Sequence, residues 1–382
     1  MSAAGAATFN NNVTAFSDER LKSDIQTIED GLAKVEQLRG VTYIRNDNVD
    51  GMLAGTNRKG PGERHGGDLD GVIDHLKYLK KLGITTIWMT PVFENDMPVS
   101  YGEYGGHVYG AYHGYAITDF YNIDRRFGFN DDYRYLVEKA HKIGIKVVMD
   151  VVHNHVGSKH WWFLDPPSSD WFNKKAEHTR TNYRTIVYND PYASKFDIEH
   201  LTMGPFDDAM PDLNQNNVLL SNYLIQHSLW WIEYSGIDGI RMDTYPYSSK
   251  EHMARWCKAV LNEYPNFTIV GEAWANSPPS VAYWQSGFPT QDGYESYLPS
   301  IIDFPLSFSI GSALSKESEP RDIENIYSEA NLLPIIDSSK IAFILSSGQS
   351  EQTGKREIIA EYKISEVKNK KDAFIIEIPS KL

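Results

Sequence analysis

The sequence predicts an α/β fold of the (β/α)8 TIM-type barrel class, with its late strands missing. Four helix-then-strand units follow one another from Leu69 to Val270, and this alternation is typical of parallel strands joined by crossover helices. Asp150, Asp243 and Glu272 each stand at the C-terminal end of one predicted strand. An open doubly wound sheet also fits the alternation, but barrels place their active sites at these strand ends, which favours the barrel.

Apolar spacing and helix-ending glycines define the four units. In the first, apolar residues three and four apart predict a helix over 69–79, which ends at Gly83 before a strand over 84–89. The other predicted units are helix 132–143 with strand 145–152, helix 222–234 with strand 237–242, and helix 251–263 with strand 267–270.

The barrel units divide the chain into three parts. Residues 1–47 precede the barrel, which extends over 48–311. Within it, about 153–215 follows the third strand and is too long for a simple connection, which predicts an inserted subdomain. After about residue 312 the alternation gives way to short β-rich runs, so 312–382 is a β-rich tail of unassigned role.

Composition narrows the classes of partner. The net charge of -14 argues against nucleic acid or an anionic membrane as the main partner. No apolar run is long enough to span a bilayer, and the first residues lack a signal-peptide pattern, so the cytoplasm is the default location. A single cysteine, Cys257, excludes an intrachain disulfide. The 9 Trp, 23 Tyr and 16 Phe suit either a large core or a sugar-stacking cleft.

Two strand-end carboxyl groups match the needs of glycoside hydrolysis. A retaining glycosidase requires a nucleophilic carboxylate and an acid/base about 5–5.5 Å apart. Arg241 and Asp243 are two residues apart on one strand and point to the same side, so Arg241 keeps Asp243 ionised. Glu272 ends the next strand beside Trp274, and an apolar, like-charged setting would raise its pKa. Either motif alone also fits a salt-bridged structural carboxylate.

Six motifs together resemble glycoside hydrolase family 13, the α-amylase family, near its neopullulanase and cyclomaltodextrinase members. They occur in the family's order over about 48–311. The motifs are GITTIWMTPV from Gly83, YHGY from Tyr112, DVVHNH from Asp150, MPDLN from Met210, GIRMD from Gly239 and GEAW from Gly271.

The resemblance implies a role for each matching residue. Asp243 would be the nucleophile, Glu272 the acid/base, and Arg241 the residue that positions Asp243. Tyr115 would stack on the sugar at the cleaved bond and His155 would bind its hydroxyl groups, with Trp274 also at the substrate. For His155, a buried structural histidine is the alternative.

The chain departs from the family pattern at two sites. No histidine follows His252, so the family's Asn-His-Asp motif and its third carboxylate are missing. Asn154 matches a calcium ligand of many amylases, but the family's histidine four residues after the nucleophile is Tyr247 here. The reaction requires no cofactor, and calcium at Asn154 stays an alternative.

Residues 17–43 carry a second resemblance. The segment is similar to the opening of the intramolecular chaperone domain of phage tailspikes, in which a serine and a lysine form a self-cleaving dyad. Ser17 and Lys22 stand at those positions. Because the segment is short and begins the chain, we expect the dyad to be inert.

These observations lead to three functional hypotheses. The first is a retaining hydrolase of α-1,4 bonds, or of α-1,4 and α-1,6 bonds, in starch-derived oligosaccharides. The second is an inactive α-glucan-binding protein, and the third is a phage-related trimerising protein. Because an incomplete barrel exposes strand edges, we also expect marginal stability or homo-oligomerisation.

Overall fold

The computed structural model of the 382-residue chain describes residues 67–97, 102–104, 107–173, 180–313, 341–342 and 376–377. Its centre is a sheet of seven parallel strands, which are β1 (Thr86–Trp88), β6 (Lys146–Val151), β7 (Gly239–Met242), β8 (Thr268–Gly271), β9 (Ser300–Ile302), β10 (Ile341–Ala342) and β11 (Ile376–Glu377). Their order across the sheet is β10-β9-β8-β7-β6-β1-β11.

Two antiparallel pairs lie in the long connection that follows β1. They join β2 (Phe93–Glu94) to β5 (Asp119–Ile123) and β3 (Gly102–Tyr104) to β4 (His107–Tyr109). Strand β5 of the first pair leads the chain towards the next helix. The predicted site residue Tyr115 lies in the segment between β4 and β5.

Eight α-helices are found in the described residues, and four of them are long. Each long helix begins next to a polar cap or an acidic first turn, as isolated helix ends require. Asp68 caps the first by accepting from the Gly71 amide, and Asn217 caps the third. The long helices are α1 (Leu69–Lys81), α2 (Asn130–Lys142), α5 (Val218–Ser235) and α6 (Lys250–Glu263). The others are α3 (Trp161–Leu164), α4 (Lys195–Thr202), α7 (Pro278–Ala282) and α8 (Phe304–Ala313).

The two faces of the sheet have different neighbours. One face packs against the helices in a large apolar core that includes Met149, Ile240 and Ile269 together with Leu136 of α2 and Trp256 of α6. The opposite face carries a small cluster of Trp88, Val148, Val270 and Ile302. Arg241 is paired in register with Val270, so it shares this second face.

The predicted barrel class is confirmed as a curled parallel sheet with helices on one side. All four predicted units are present, with ends shifted by no more than a few residues. A fifth unit, β9 followed by α8, was not predicted. Residues 341–342 and 376–377 of the predicted β-rich tail pair with the edge strands β9 and β1. No pairing joins β10 to β11 within the described residues.

The segment after β6 folds across the C-terminal strand ends. Isolated bridges join His155 to Asp212 and Phe172 to Leu213, so the motif at 210–214 is tied back to the end of β6. Helices α3 and α4 and a 3₁₀ turn at Thr185–Asn189 fill the rest. The boundaries predicted for this subdomain, and for the flanking parts of the chain, stay predictions. None of the helices in the described ranges has the length and hydropathy that a membrane span needs.

Candidate active site

Asp243 and Glu272 follow directly after a registered pair on neighbouring strands. Met242 of β7 is paired with Gly271 of β8, and the Glu272 amide donates to the Met242 carbonyl at 2.9 Å. Parallel neighbours in a sheet lie about 4.8 Å apart. The two carboxyl side chains therefore start from adjacent positions at the same edge of the sheet.

Arg241 joins these carboxyl groups. Its Nη1 lies 2.6 Å from Oδ1 of Asp243, and its Nη2 lies 2.7 Å from Oε1 of Glu272. A third carboxyl, that of Asp150 at the end of β6, accepts from Nη1 at 2.9 Å. The Arg241 side chain is only 4% exposed. The spacing of two residues between Arg241 and Asp243 thus brings both to one face of β7, as the sequence predicts.

The charges of this cluster do not balance. One guanidinium faces three carboxyl groups in a buried site, and burying uncompensated charge is costly. Burial raises the pKa of Glu272 to about 7, Arg241 opposes this rise, and the negative charge of Asp243 adds to it. Near neutral pH a large fraction of Glu272 therefore holds a proton, which is the state a general acid needs.

Thr244 fixes the second oxygen of Glu272. Its backbone N–H donates to Oε2 at 2.8 Å, while Oε1 is bound to Arg241. Thr244 has φ 46°, in the left-handed region that β-branched residues rarely adopt. Such strain is stored at functional sites. This contact uses the backbone and was not foreseen from side-chain motifs.

The oxygens of Asp150 are occupied within the protein. Oδ2 accepts from Nε1 of Trp88 and from the hydroxyl of Tyr115, each at 3.0 Å, in addition to Arg241. Burial raises the pKa of Asp150, and Arg241 opposes this rise. Asp150 therefore orients Arg241 and Tyr115. Sequence reasoning placed Asp150 at a strand end but missed Trp88, whose only signal was its place in the strand motif.

Tyr115 and His155 lie beside the cluster formed by Arg241 and the three carboxyl groups. The Arg241 guanidinium lies over the Tyr115 ring at 5.6 Å, and that ring stacks on His113. His155 is 2% exposed, and its Nε2 has no hydrogen-bond partner among the described residues. Burial lowers the pKa of His155 to about 4, so the ring is neutral near pH 7. A neutral ring with a free nitrogen can bind a hydroxyl group.

Trp274 is not part of the cluster formed by Arg241 and the three carboxyl groups. Its ring is 57% exposed and stacks on Phe304 of α8 with centroids 5.0 Å apart. The setting expected to raise the pKa of Glu272, apolar and like-charged, agrees with the causes found in the structure, which are burial and the negative charge of Asp243. Trp274 presents an aromatic surface two residues beyond the proposed acid.

The side chains around Asn154 bind one another through its amide nitrogen, while its Oδ1 is buried with no hydrogen-bond partner among the described residues. Nδ2 of Asn154 and Nδ2 of Asn173 both donate to the carboxyl of Asp212, at 3.1 and 2.8 Å. Burial raises the pKa of Asp212 well above its ordinary value, which favours the neutral acid. Calcium takes six to eight oxygen ligands; among the described residues no group of three or more His, Cys, Asp or Glu side chains could hold a metal ion, and calcium at Asn154 stays a prediction. Tyr247 packs against Phe206 instead of supplying the family's histidine.

Ser17 and Lys22 lie outside the described residues. The comparisons with known proteins lend no support to the tailspike resemblance of residues 17–43. The resemblance of Ser17 and Lys22 to a self-cleaving dyad, which we expect to be inert, is therefore without support.

The protein has a curled parallel sheet with two carboxyl groups at neighbouring strand ends. This arrangement is typical of barrel glycosidases that use a pair of carboxyl groups in catalysis. A sequence model described as "Alpha amylase, catalytic domain" matches residues 29–297. The chain belongs to this alpha-amylase family.

Individual relatives agree with this assignment. The chain is 30% identical to Alpha-amylase 3 of Dictyoglomus thermophilum over 70% of its own length and 49% of the relative. It is 28% identical to a cyclomaltodextrinase of Bacillus sp., over 81% of this chain and 51% of that protein. The crystal structure of an alpha-amylase from Geobacillus thermoleovorans complexed with acarbose is similar with a TM-score of 0.59 at 30% identity, covering 78% of this chain and 59% of that one. The chain thus spans about half the length of the two sequence relatives.

Proposed function

We propose that this chain is the catalytic part of a retaining hydrolase that cleaves α-1,4-glucosidic bonds, or α-1,4 and α-1,6 bonds together, in starch-derived oligosaccharides. The observation that carries the proposal is the bridge between Asp243 and Glu272 through Arg241. The relatives named above support the substrate class, since they include an alpha-amylase and a cyclomaltodextrinase.

In the first step, Asp243 attacks the anomeric carbon of the bound sugar and forms a glycosyl ester. The ion pair with Arg241 keeps the attacking carboxylate in place. At the same time Glu272 gives its proton to the glycosidic oxygen, and the shortened glucan leaves as an alcohol.

In the second step, the ionised Glu272 takes a proton from water as the water oxygen attacks the anomeric carbon, and the bond from that carbon to Asp243 breaks. Asp243 is released, and the product has the α configuration of the substrate. Because burial holds the pKa of Glu272 at about 7, this group can both donate and accept a proton near neutral pH.

Tyr115 and His155 are assigned to the sugar at the cleaved bond. Tyr115 is held by Asp150 and Arg241, so its ring offers a fixed stacking surface. His155 has an unpaired Nε2 available for a sugar hydroxyl. Trp274, two residues after Glu272, offers an exposed ring.

The missing third carboxylate limits the expected rate. Asp150 does not replace it, because its oxygens already accept from Trp88, Tyr115 and Arg241. Loss of one group that binds the transition state typically lowers kcat by about 10²–10³. This observation favours a second candidate, an α-glucan-binding protein without turnover.

Release of reducing sugar from maltoheptaose and pullulan tests the proposal. The parent chain should produce reducing ends, and Asp243→Asn should reduce the rate at least about 10³-fold because it removes the nucleophile. Asp131→Asn is the matched control, since Asp131 is an exposed carboxylate of α2 that pairs with Arg134.

Equal rates for Asp243→Asn and the parent would reject the nucleophile. Binding of maltoheptaose by a parent chain that releases no sugar would select the second candidate.

A further inference from the structure

Trp88 of β1 is buried on the face of the sheet that also carries Arg241. Its ring is 2% exposed and packs in the small cluster on that face, outside the large apolar core. Its indole N–H donates to Oδ2 of Asp150 at 3.0 Å. A buried tryptophan N–H usually finds an acceptor, and here the acceptor is a carboxyl group of the candidate site instead of a backbone carbonyl.

The Arg241 guanidinium lies over two aromatic rings. Its Cζ is 5.1 Å from the centroid of the Trp88 ring and 5.6 Å from the centroid of the Tyr115 ring. A guanidinium within about 6 Å of a ring centroid is attracted to the face of that ring. Trp88 therefore contacts both members of the ion pair between Arg241 and Asp150, the guanidinium through its ring and the carboxyl through its N–H.

A single nitrogen of Arg241 connects this contact to the proposed nucleophile. Nη1 lies 2.9 Å from Oδ1 and 3.1 Å from Oδ2 of Asp150, and the same Nη1 lies 2.6 Å from Oδ1 of Asp243. Burial raises the pKa of Asp150, and Arg241 and the Trp88 N–H oppose this rise. Loss of the Trp88 N–H would therefore weaken the ionised form of Asp150, which is the form that holds Nη1 beside Asp243.

We propose that Trp88 is a positioning residue of the hydrolase, whose indole N–H fixes the Asp150 carboxylate. That carboxylate in turn keeps the Arg241 guanidinium aligned with Asp243. The buried Trp88 ring offers almost no surface to a sugar, so this role is exerted through the neighbouring side chains. The effect on rate rests on the proposed hydrolase function, whereas the effect on Arg241 does not.

Trp88→Phe removes the N–H and keeps an apolar ring. With maltoheptaose as substrate, kcat should fall about tenfold, which is the rate equivalent of one hydrogen bond to a charged group. KM should stay near the value of the parent, because Trp88 touches no substrate and a poorly aligned nucleophile affects only the transition state.

An isosteric replacement separates the N–H from the shape of the ring. β-(3-Benzothienyl)alanine at position 88 keeps the bicyclic shape of the indole and has sulfur in place of the N–H. It should lower kcat by about the same tenfold factor. This variant also provides the measurement if phenylalanine at this position prevents folding.

Trp231→Phe is the matched control. Trp231 is fully buried in the large apolar core, and its indole N–H donates to the Phe120 carbonyl at 2.8 Å. The control loses the same group away from the carboxyl cluster, so it should keep the kcat of the parent. A kcat in the two position-88 variants that is no lower than in Trp231→Phe would overturn the inference, as would a raised KM with unchanged kcat.

Failure of the proposed function has a separate readout. If the parent chain turns over no maltoheptaose, the hydrolase proposal fails, and NMR of the Arg241 guanidinium then tests the role of Trp88. The guanidinium N–H signals, identified by their absence in Arg241→Lys, should exchange with water about tenfold faster in the position-88 variants than in Trp231→Phe. Equal exchange rates would refute the role of Trp88 without reference to catalysis.

Discussion

Replacing Arg241 by methionine should destabilise the protein strongly and in a pH-dependent way. Arg241 is 4% exposed and is the only Lys or Arg side chain among the described residues that contacts Asp150, Asp243 or Glu272. A buried charge left without its partner typically costs about 3–5 kcal/mol. We therefore expect Arg241→Met to lower the free energy of unfolding by about 3–5 kcal/mol at pH 8.

The sign of the pH dependence follows from Glu272. Its pKa in the folded protein, about 7, lies above its ordinary value of 4.5, so the folded state binds more protons between these values. Stability that this group contributes at low pH is lost as the pH rises towards 7. Without Arg241 the buried carboxyl groups bind protons more readily, so the deficit of the variant should be smaller at pH 5 than at pH 8.

Urea unfolding of parent and variant at both pH values measures this difference. Arg125→Met is the control, because Arg125 is 45% exposed and pairs with Glu94 and Asp96 at the surface. Exposed pairs contribute about 0–1 kcal/mol. A loss in Arg241→Met no larger than in Arg125→Met, or one that is equal at both pH values, would refute the charge argument.

Three further predictions concern pH, backbone and metal. The activity kcat/KM should decline above about pH 7 as Glu272 loses its proton; a decline that begins near pH 5 would contradict this assignment. Gly114→Ala should lower the free energy of unfolding by about 1–3 kcal/mol more than Gly83→Ala, because a Cβ at Gly114 would collide with the Pro91 carbonyl oxygen, whereas one at Gly83 meets nothing within 4 Å. EDTA should leave the melting temperature unchanged, since amide groups already satisfy Asp212; a lower melting temperature reversed by calcium would disprove this.

Local patterns were sufficient to predict the four helix–strand units. Helix α1 is defined by apolar residues at helical spacing and by a capping aspartate, and these signals lie within one short window of sequence. The meeting of Asp243 and Glu272 was also predictable. Both follow parallel strands, and parallel strands end at the same edge of the sheet.

Contacts between distant segments and backbone strain were not predictable in the same way. The bond from Trp88 to Asp150 joins residues of two strands, and Trp88 looked like an ordinary core residue of an apolar run. The contact of the Thr244 amide with Glu272 depends on a left-handed backbone at Thr244, and a threonine in the sequence does not predict that conformation. Unit β9–α8 was missed because helix α8 is apolar around most of its circumference and has no polar face to give a helical pattern.

The predicted homo-oligomerisation and the roles of the terminal parts stay predictions. Strands β10 and β11 are the two outer strands of the sheet among the described residues, and such edges are the structural reason to examine self-association. Light scattering of the purified chain measures it directly, and a monodisperse monomer would contradict the expectation.

The central claim is that Asp243 forms a covalent bond with the sugar while Glu272 acts as general acid and then as general base. In Glu272→Gln, fluoride leaves from α-maltosyl fluoride without help from an acid, so the glycosyl ester still forms. The variant lacks the general base that would activate water to hydrolyse this ester. Mass spectrometry of this variant should therefore show a maltosyl adduct on the peptide that contains Asp243. An adduct on another residue, or rapid release of maltose with no adduct and inverted configuration, would contradict the account.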